Sequence, residues 1–286
     1  MRRHRLLVSL AALAVVAAGC DFPNIIPPGP APLRYRDPIF TTVANTADIT
    51  YGSAVNAENQ TITLKLDMYR PPSSDTVTSR PAIVWVHGGS FSSGSKTSPE
   101  LVDEANVFAK KGYVNTSIDY RLEPGGCSAG SPTPACVHAI QEATQDAQTA
   151  VRFLRAHATT YGIDPTRIAI GGSSAGAITA LQVGYATAEN PASAVRAAVS
   201  LSGANLLSTI GAGDAPALLF HGTADPLVPY QWAVNTANAA QAAGLDVFLE
   251  TWQGAGHVPY TQFRTQILTQ TRNFLFGEMD LEHAAH

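Results

Sequence analysis

Charge is scarce in this 286-residue chain: 14% of residues are Asp, Glu, Lys or Arg, with 18 basic against 22 acidic and a net charge of −4. No lysine/arginine stripe is present that would track a phosphate backbone, so a nucleic acid is not an expected partner. Cysteines number only three, and no cluster of metal-ligand residues has the spacing that would hold zinc, so neither a metal nor an organic cofactor is expected. The longest apolar run, Leu6 to Ala18, is too short to span a bilayer comfortably. No internal repeat and no second compositional block appears. What the chain does have is apolar residues, 45% of the total, enough to build a real core in one large domain.

The first twenty residues read as an export signal: Arg2, Arg3 and Arg5 precede the Leu6–Ala18 run. The segment ends in Ala17-Ala18-Gly19-Cys20, which resembles a bacterial lipobox, with Ala17 where leucine is usual. That resemblance implies lipidation of Cys20 and attachment to a membrane surface. Plain secretion and a retained anchor are the other two readings, and all three export the protein. Setting Cys20 aside leaves Cys127 and Cys136, expected to pair as a disulfide in an oxidising compartment. Between them lie Ser131, Pro132 and Pro134, which read as a loop that the bond would pin. Residues 21–40, with Pro23, Pro27, Pro28, Pro30 and Pro32, read as an extended tether, and residues 41–280 as the folded domain. The tail from Leu281 to His286 carries no pattern of its own.

Inside the domain, residues 47–54 and 61–69 alternate polar and apolar side chains, which predicts an antiparallel hairpin at a sheet edge. Short apolar strands then follow at residues 82–87, 113–119, 167–170, 197–201, 217–221 and 247–252, with helical stretches between them. The longest helix is expected over 137–161, where Ile140, Ala147, Ala150, Val151 and Leu154 recur at helical spacing and Gly162 ends it. Strands alternating with helices imply an α/β fold: a mostly parallel twisted sheet, covered by helices on both faces. Only about fifteen residues separate the strand ending at Leu201 from the next, too few for a large cap domain.

Chemistry concentrates at strand ends. Gly172-Ser173-Ser174-Ala175-Gly176 follows the 167–170 strand and precedes a helical run, the placement in which a G-x-S-x-G serine sits on a strained strand-to-helix turn. Ser174 is the candidate nucleophile; a plain helix N-cap is the alternative for it. His87-Gly88-Gly89-Ser90-Phe91 follows the 82–87 strand. Its glycines let backbone N–H groups point at a developing oxyanion, and the amides of Gly89, Ser90 and Ala175 are the candidates. Asp225, in His221-Gly222-Thr223-Ala224-Asp225, lies just past the 217–221 strand, whereas Asp214 and Asp246 lie at the wrong ends of theirs. His257 follows Gly254-Ala255-Gly256 after the last strand, and the glycines are expected to give the imidazole room. The chain order is then Ser174, Asp225, His257. His87 and His221 are read as buttressing turns.

With these motifs the chain resembles the bacterial esterases and lipases of the α/β-hydrolase superfamily, close to the carboxylesterases and hormone-sensitive-lipase-like enzymes, over roughly Thr61 to Phe276. Ser90 stands where the HGGGF motif of those esterases has a third glycine. Asp119-Tyr120-Arg121-Leu122 and Tyr161-Gly162-Ile163-Asp164-Pro165-Thr166-Arg167 are further matching pieces; Asp119 and Arg121 are expected to hold loops near the oxyanion turn. The resemblance implies hydrolysis of carboxylic esters by an acyl-enzyme route without a cofactor. An open cleft lined partly by Phe91 and the 125–137 loop would suit short-chain esters, acetylated or feruloylated plant polysaccharide, or a polyester. A prolyl-oligopeptidase-like peptidase and a non-catalytic binding protein on the same scaffold are the alternative readings. Nothing in the chain specifies an oligomeric state.

Overall fold

The computed structural model describes residues 26–129 and 132–284. The export signal, Cys20 and the start of the proline-rich stretch lie outside the described residues. The elements run β1 (Ala44–Val55), β2 (Thr61–Arg70), β3 (Arg80–Val86), α1 (Pro99–Ala109), β4 (Val114–Ile118), α2 (Pro134–Ala156), α3 (Ala158–Tyr161), β5 (Ile163–Ser173), α4 (Ala175–Gly184), β6 (Ala198–Leu201), β7 (Ala217–Gly222), α5 (Tyr230–Ala242), β8 (Val247–Trp252) and α6 (Tyr260–Glu278). The strands form one sheet in the order β1-β2-β4-β3-β5-β6-β7-β8. β1 and β2 are the antiparallel edge hairpin, β2 also pairs antiparallel with β4, and the ladder from β4 to β8 is parallel throughout.

The centre of the sheet shows why the sequence folds this way. β3 reads Arg-Pro-Ala-Ile-Val-Trp-Val and every residue in it is buried, as a parallel strand covered on both faces requires. Its period of two divides the core: Ala82, Val84 and Val86 join the apolar cluster under α2, α4 and α5. Ile83 and Trp85 join the one under α1 and α6. Between β6 and β7, residues 202–216 form a connection without a helix or strand of its own. No large cap therefore covers the strand ends.

Three expectations need correction. The single helix over 137–161 is two, because the backbone at His157 leaves helical geometry (φ −105°, ψ 21°) before α3, which Gly162 closes in the left-handed region. The loop read between the cysteines is shorter than expected. Thr133 caps α2 by accepting a hydrogen bond from the Cys136 amide, and Pro134 opens the helix, so Cys136 lies in its first turn. Finally, residues 26–40 are not a free tether. Leu33 and Tyr35 are buried, and Tyr35 packs edge-on against Tyr113. The Arg36 guanidinium donates to the carbonyls of Pro27 and Gly29, which the donor-poor proline stretch cannot satisfy itself. The amides of Tyr35, Ile39 and Phe40 bond the end of α1 through the Lys110 and Lys111 carbonyls. At the other terminus Leu281 is likewise buried.

Near that terminus burial, and then the Asp246 charge, push the Glu278 carboxyl up to about 7. The folded state thus holds a proton that the unfolded chain has released, and stability falls as pH rises from the ordinary carboxyl range to about 7. Glu278→Gln is expected to raise the melting temperature by on the order of a few degrees at pH 8 and to leave it nearly unchanged at pH 4. Thermal melts at the two pH values check this.

Candidate active site

Ser174 sits between the last residue of β5 and the first of α4 with φ 54° and ψ −118°, a conformation rarely adopted by a side-chain-bearing residue. Sterics explain the two flanking glycines. A Cβ on Gly176 would run into the Val86 carbonyl, and one on Gly172 would meet both that carbonyl and the Gly176 backbone. The serine makes no side-chain capping bond to the helix, so the N-cap alternative does not describe it. Its Oγ instead lies 2.7 Å from His257 Nε2.

His257 Nδ1 is 2.8 Å from Asp225 Oδ2. The Asp225 side chain is wholly buried and fully engaged. Its Oδ1 accepts from the amides of Leu227 (2.9 Å) and Val228 (3.0 Å), which leaves Oδ2 to face the imidazole. Burial alone would raise this carboxyl, but the hydrogen bonds from His221, His257 and the two amides outweigh it and hold the group well below the usual carboxylate range. These donors favour the anionic form of Asp225 beside the imidazole. Chain order along β5, β7 and β8 becomes adjacency in space because those strand ends lie along one rim of the parallel sheet.

His221 is the fourth member of this network. It is completely buried, with Nε2 2.9 Å from the Val228 carbonyl and 3.3 Å from Asp225 Oδ2. A carbonyl only accepts, so Nε2 carries the proton, while Nδ1 has no partner among the described residues. The side chain thus fastens the 225–228 turn and shares the carboxylate with His257. His87 stacks on Tyr120 at 4.3 Å between ring centroids, and the Tyr120 hydroxyl donates to the His87 carbonyl. Gly94 packs against His87 where a Cβ could not fit.

Of the oxyanion candidates, Ser90 and Ala175 line the same cleft as Ser174. Gly89 makes the turn: its φ is 116°, its carbonyl accepts from the amides of Ser92 and Ser93, and a Cβ there would strike the Ser93 carbonyl. Gly88 packs directly on Ser174, with room for a Cβ only at 3.1 Å from the serine Cβ. Behind His257, Gly254 is required by its φ of 74°, whereas the space around Gly256 is open, so no neighbour demands a glycine there. Asp119 does hold the loop that follows the oxyanion turn, its Oδ1 accepting from the Lys96 amide at 2.7 Å. Arg121 does not. It reaches away to Asp146 and Glu142 on α2, because two buried carboxylates outcompete the loop for its guanidinium.

The cleft, small and partly open to solvent, has one wall from the disulfide region (Cys127, Ser128, Cys136) and Phe91, as expected. The opposite wall, Ile178, Leu206, Leu227, Val228 and Trp232, was not anticipated. These residues come from α4, α5 and two connections, and nothing local in the sequence marks them as neighbours. Cys127 and Cys136 are disulfide-bonded. Replacing both by serine is expected to lower stability by roughly 2–3 kcal/mol through the loss of loop closure and to raise KM, since both residues form the wall; urea unfolding and steady-state kinetics check the two effects.

Comparisons with known proteins point to the same fold. The BD-FAE family model matches residues 66–202, and the Phospholipase/Carboxylesterase model matches residues 135–274. An AB hydrolase superfamily protein of Schizosaccharomyces pombe is 31% identical over 130 residues, 44% of this chain and 33% of that protein. Carboxylesterase NlhH of Mycobacterium tuberculosis is 34% identical over 96 residues, 34% of this chain and 26% of its own length. The chain spans about a third or less of the curated relatives it matches. Among solved structures, Thermogutta terrifontis esterase 2 phosphoramylated by tabun superposes with a TM-score of 0.68 at 25% identity, covering 82% of this chain and 94% of that one. The butyrate-bound form of the same esterase gives a TM-score of 0.63 at 25% identity over 80% and 94% of the two chains. By its sheet order, its strained serine turn and these matches, the chain has the fold of the α/β-hydrolase esterases.

Proposed function

We propose that the protein is a serine esterase that hydrolyses carboxylic esters of short acyl chains through an acyl-enzyme. The observation that carries this is the unbroken relay from Ser174 Oγ through His257 to the buried anion of Asp225. His257 takes the serine proton as Oγ attacks the ester carbonyl, and Asp225 stabilises the imidazolium that forms. The amides of Ser90 and Ala175, with Gly89, stabilise the oxyanion. The imidazolium then protonates the leaving alcohol, and a water activated by the same histidine releases the acid.

The small, partly open cleft supports small acyl groups, and the butyrate bound to the Thermogutta esterase is of the same size class. In a panel of p-nitrophenyl esters, acetate to butyrate is expected to exceed octanoate in kcat/KM by about tenfold or more. Faster cleavage of aminoacyl-anilides than of every ester would overturn the reading in favour of a peptidase. Acetyl and feruloyl polysaccharide esters belong in the same panel, because the open cleft admits a polymer-linked alcohol. The N-terminal signal and the Cys127–Cys136 bond support an exported enzyme, with Cys20 lipidated at the new N-terminus; mass spectrometry of that N-terminus from membrane fractions tests this, and an unmodified Cys20 rejects it.

A further inference from the structure

One group of side chains lies behind the disulfide wall, outside the relay. Glu123 follows β4, while His138 and Glu142 stand four residues apart on one face of α2. A ligand atom from each lies within 4.8 Å of the others. Glu142 is only 7% exposed, yet its buried Oε2 has no hydrogen-bond partner among the described residues, and neither has Glu123 Oε1. Two carboxylates are thus brought together with an oxygen each left unsatisfied, an arrangement that repels itself in a poorly hydrated setting unless a positive charge intervenes.

The nearby cation supplies only part of that charge. Arg121 gives Nε and one terminal nitrogen to Asp146, the other terminal nitrogen to Glu142 Oε1 at 2.7 Å and the Val55 carbonyl, and further bonds to Gln145 and the Glu142 carbonyl. One guanidinium therefore faces the three carboxylates of Glu123, Glu142 and Asp146. His138 Nδ1 lies 3.8 Å from Glu123 Oε2, and its side chain is 59% exposed, which opens the group to solvent.

We propose that Glu123, Glu142 and His138 form a binding site for a divalent transition-metal ion of the zinc type, completed by water on the exposed side. One imidazole nitrogen with two carboxylate oxygens suits such an ion better than calcium, which prefers an all-oxygen shell. The ion fills the gap between the two orphaned oxygens. The other occupant chemistry allows there is a shared proton: burial first, and the Glu123 carboxyl second, push Glu142 up to about 7.

Occupancy acts on the cleft indirectly. The Glu123 amide donates to the Phe91 carbonyl at 2.8 Å, next to Ser90, and His138 is two residues from the disulfide-bonded Cys136. The ion fastens the oxyanion turn and the cleft wall to α2. It takes no part in the chemistry, so the site stands or falls independently of the esterase reading.

The test uses the full chain, stripped with EDTA, and titrated calorimetrically with zinc chloride and, separately, with calcium chloride. One zinc per chain is expected, with a rise of several degrees in melting temperature. Both effects should weaken tenfold or more in His138→Ala, whose exposed side chain is dispensable for folding, and in Glu123→Gln. Absence of zinc binding overturns the site and leaves the shared proton as the occupant. Binding that persists unchanged in both variants also overturns it, since the ion then sits elsewhere, for instance at His257. Calcium binding in place of zinc, lost in the same variants, overturns the assignment to a transition metal.

Discussion

Replacing Ser174 or His257 by alanine is expected to lower ester turnover by about four orders of magnitude or more, each alone nearly as much as both together. The non-additivity follows from the geometry. With Oγ 2.7 Å from Nε2, the hydroxyl is a nucleophile only while the imidazole accepts its proton, and every later task of the imidazole acts on the acyl-enzyme that Ser174 forms. Two measurements separate this from misfolding. Both variants should melt cooperatively, and a fluorophosphonate probe should label the wild type at Ser174 while leaving Ser174→Ala unlabelled. Ester hydrolysis retained at the wild-type rate in either variant would sink the mechanism. Backbone strain adds a second expectation to the Ser174 variant. Alanine must still adopt φ 54°, so the strain stays and stability should change little.

Asp225→Asn is expected to reduce kcat by about three to four orders of magnitude with little change in KM. Oδ1 of Asp225 is held by the amides of Leu227 and Val228, so an asparagine oxygen takes that place and its NH2 group turns toward His257. Nδ1 must then accept rather than donate, which moves the imidazole proton to Nε2, where it faces the serine and cannot receive another. Stability should change with a defined sign. The native state holds the Asp225 carboxyl below its ordinary value of 3.8, so it contributes stability above that pH, and the contribution is lost as pH falls through the lower folded value. The gap in melting temperature between wild type and Asp225→Asn should therefore be widest near neutral pH and narrow under acid. A gap constant across the range would rule out the carboxylate charge as its source. His221→Gln offers a contrast: it disturbs the same carboxylate from the far side, leaves His257 its partner, and should cost about tenfold rather than thousands.

Much of the fold was legible because its causes are local. The continuous apolar run of β3 specifies a strand covered on both faces, and the alternation in residues 61–66 specifies the half-exposed start of β2, beside the edge strand β1. Glycines at 172 and 176 mark the serine turn because a single Cβ at either place collides with the backbone of the neighbouring strand. Where a local signal misled, a distant partner had outweighed it. The prolines of residues 27–32 suggested a tether, but Tyr35 finds Tyr113, and Arg36 finds the carbonyls that the prolines leave open.

Motif and position along the chain named Ser174, Asp225 and His257 one by one. That their side chains meet within hydrogen-bonding distance was decided by the order of β5, β6, β7 and β8 in the sheet, which places the three turns on one rim. The far wall of the cleft, the sharing of Asp225 by His221, and the convergence of Glu123 with His138 and Glu142 belong wholly to tertiary structure. Steric and periodic constraints act between residues a few positions apart and are written in the chain. Contacts between side chains far apart in sequence depend on how strands are ordered and helices laid across them, and only the folded molecule contains that information.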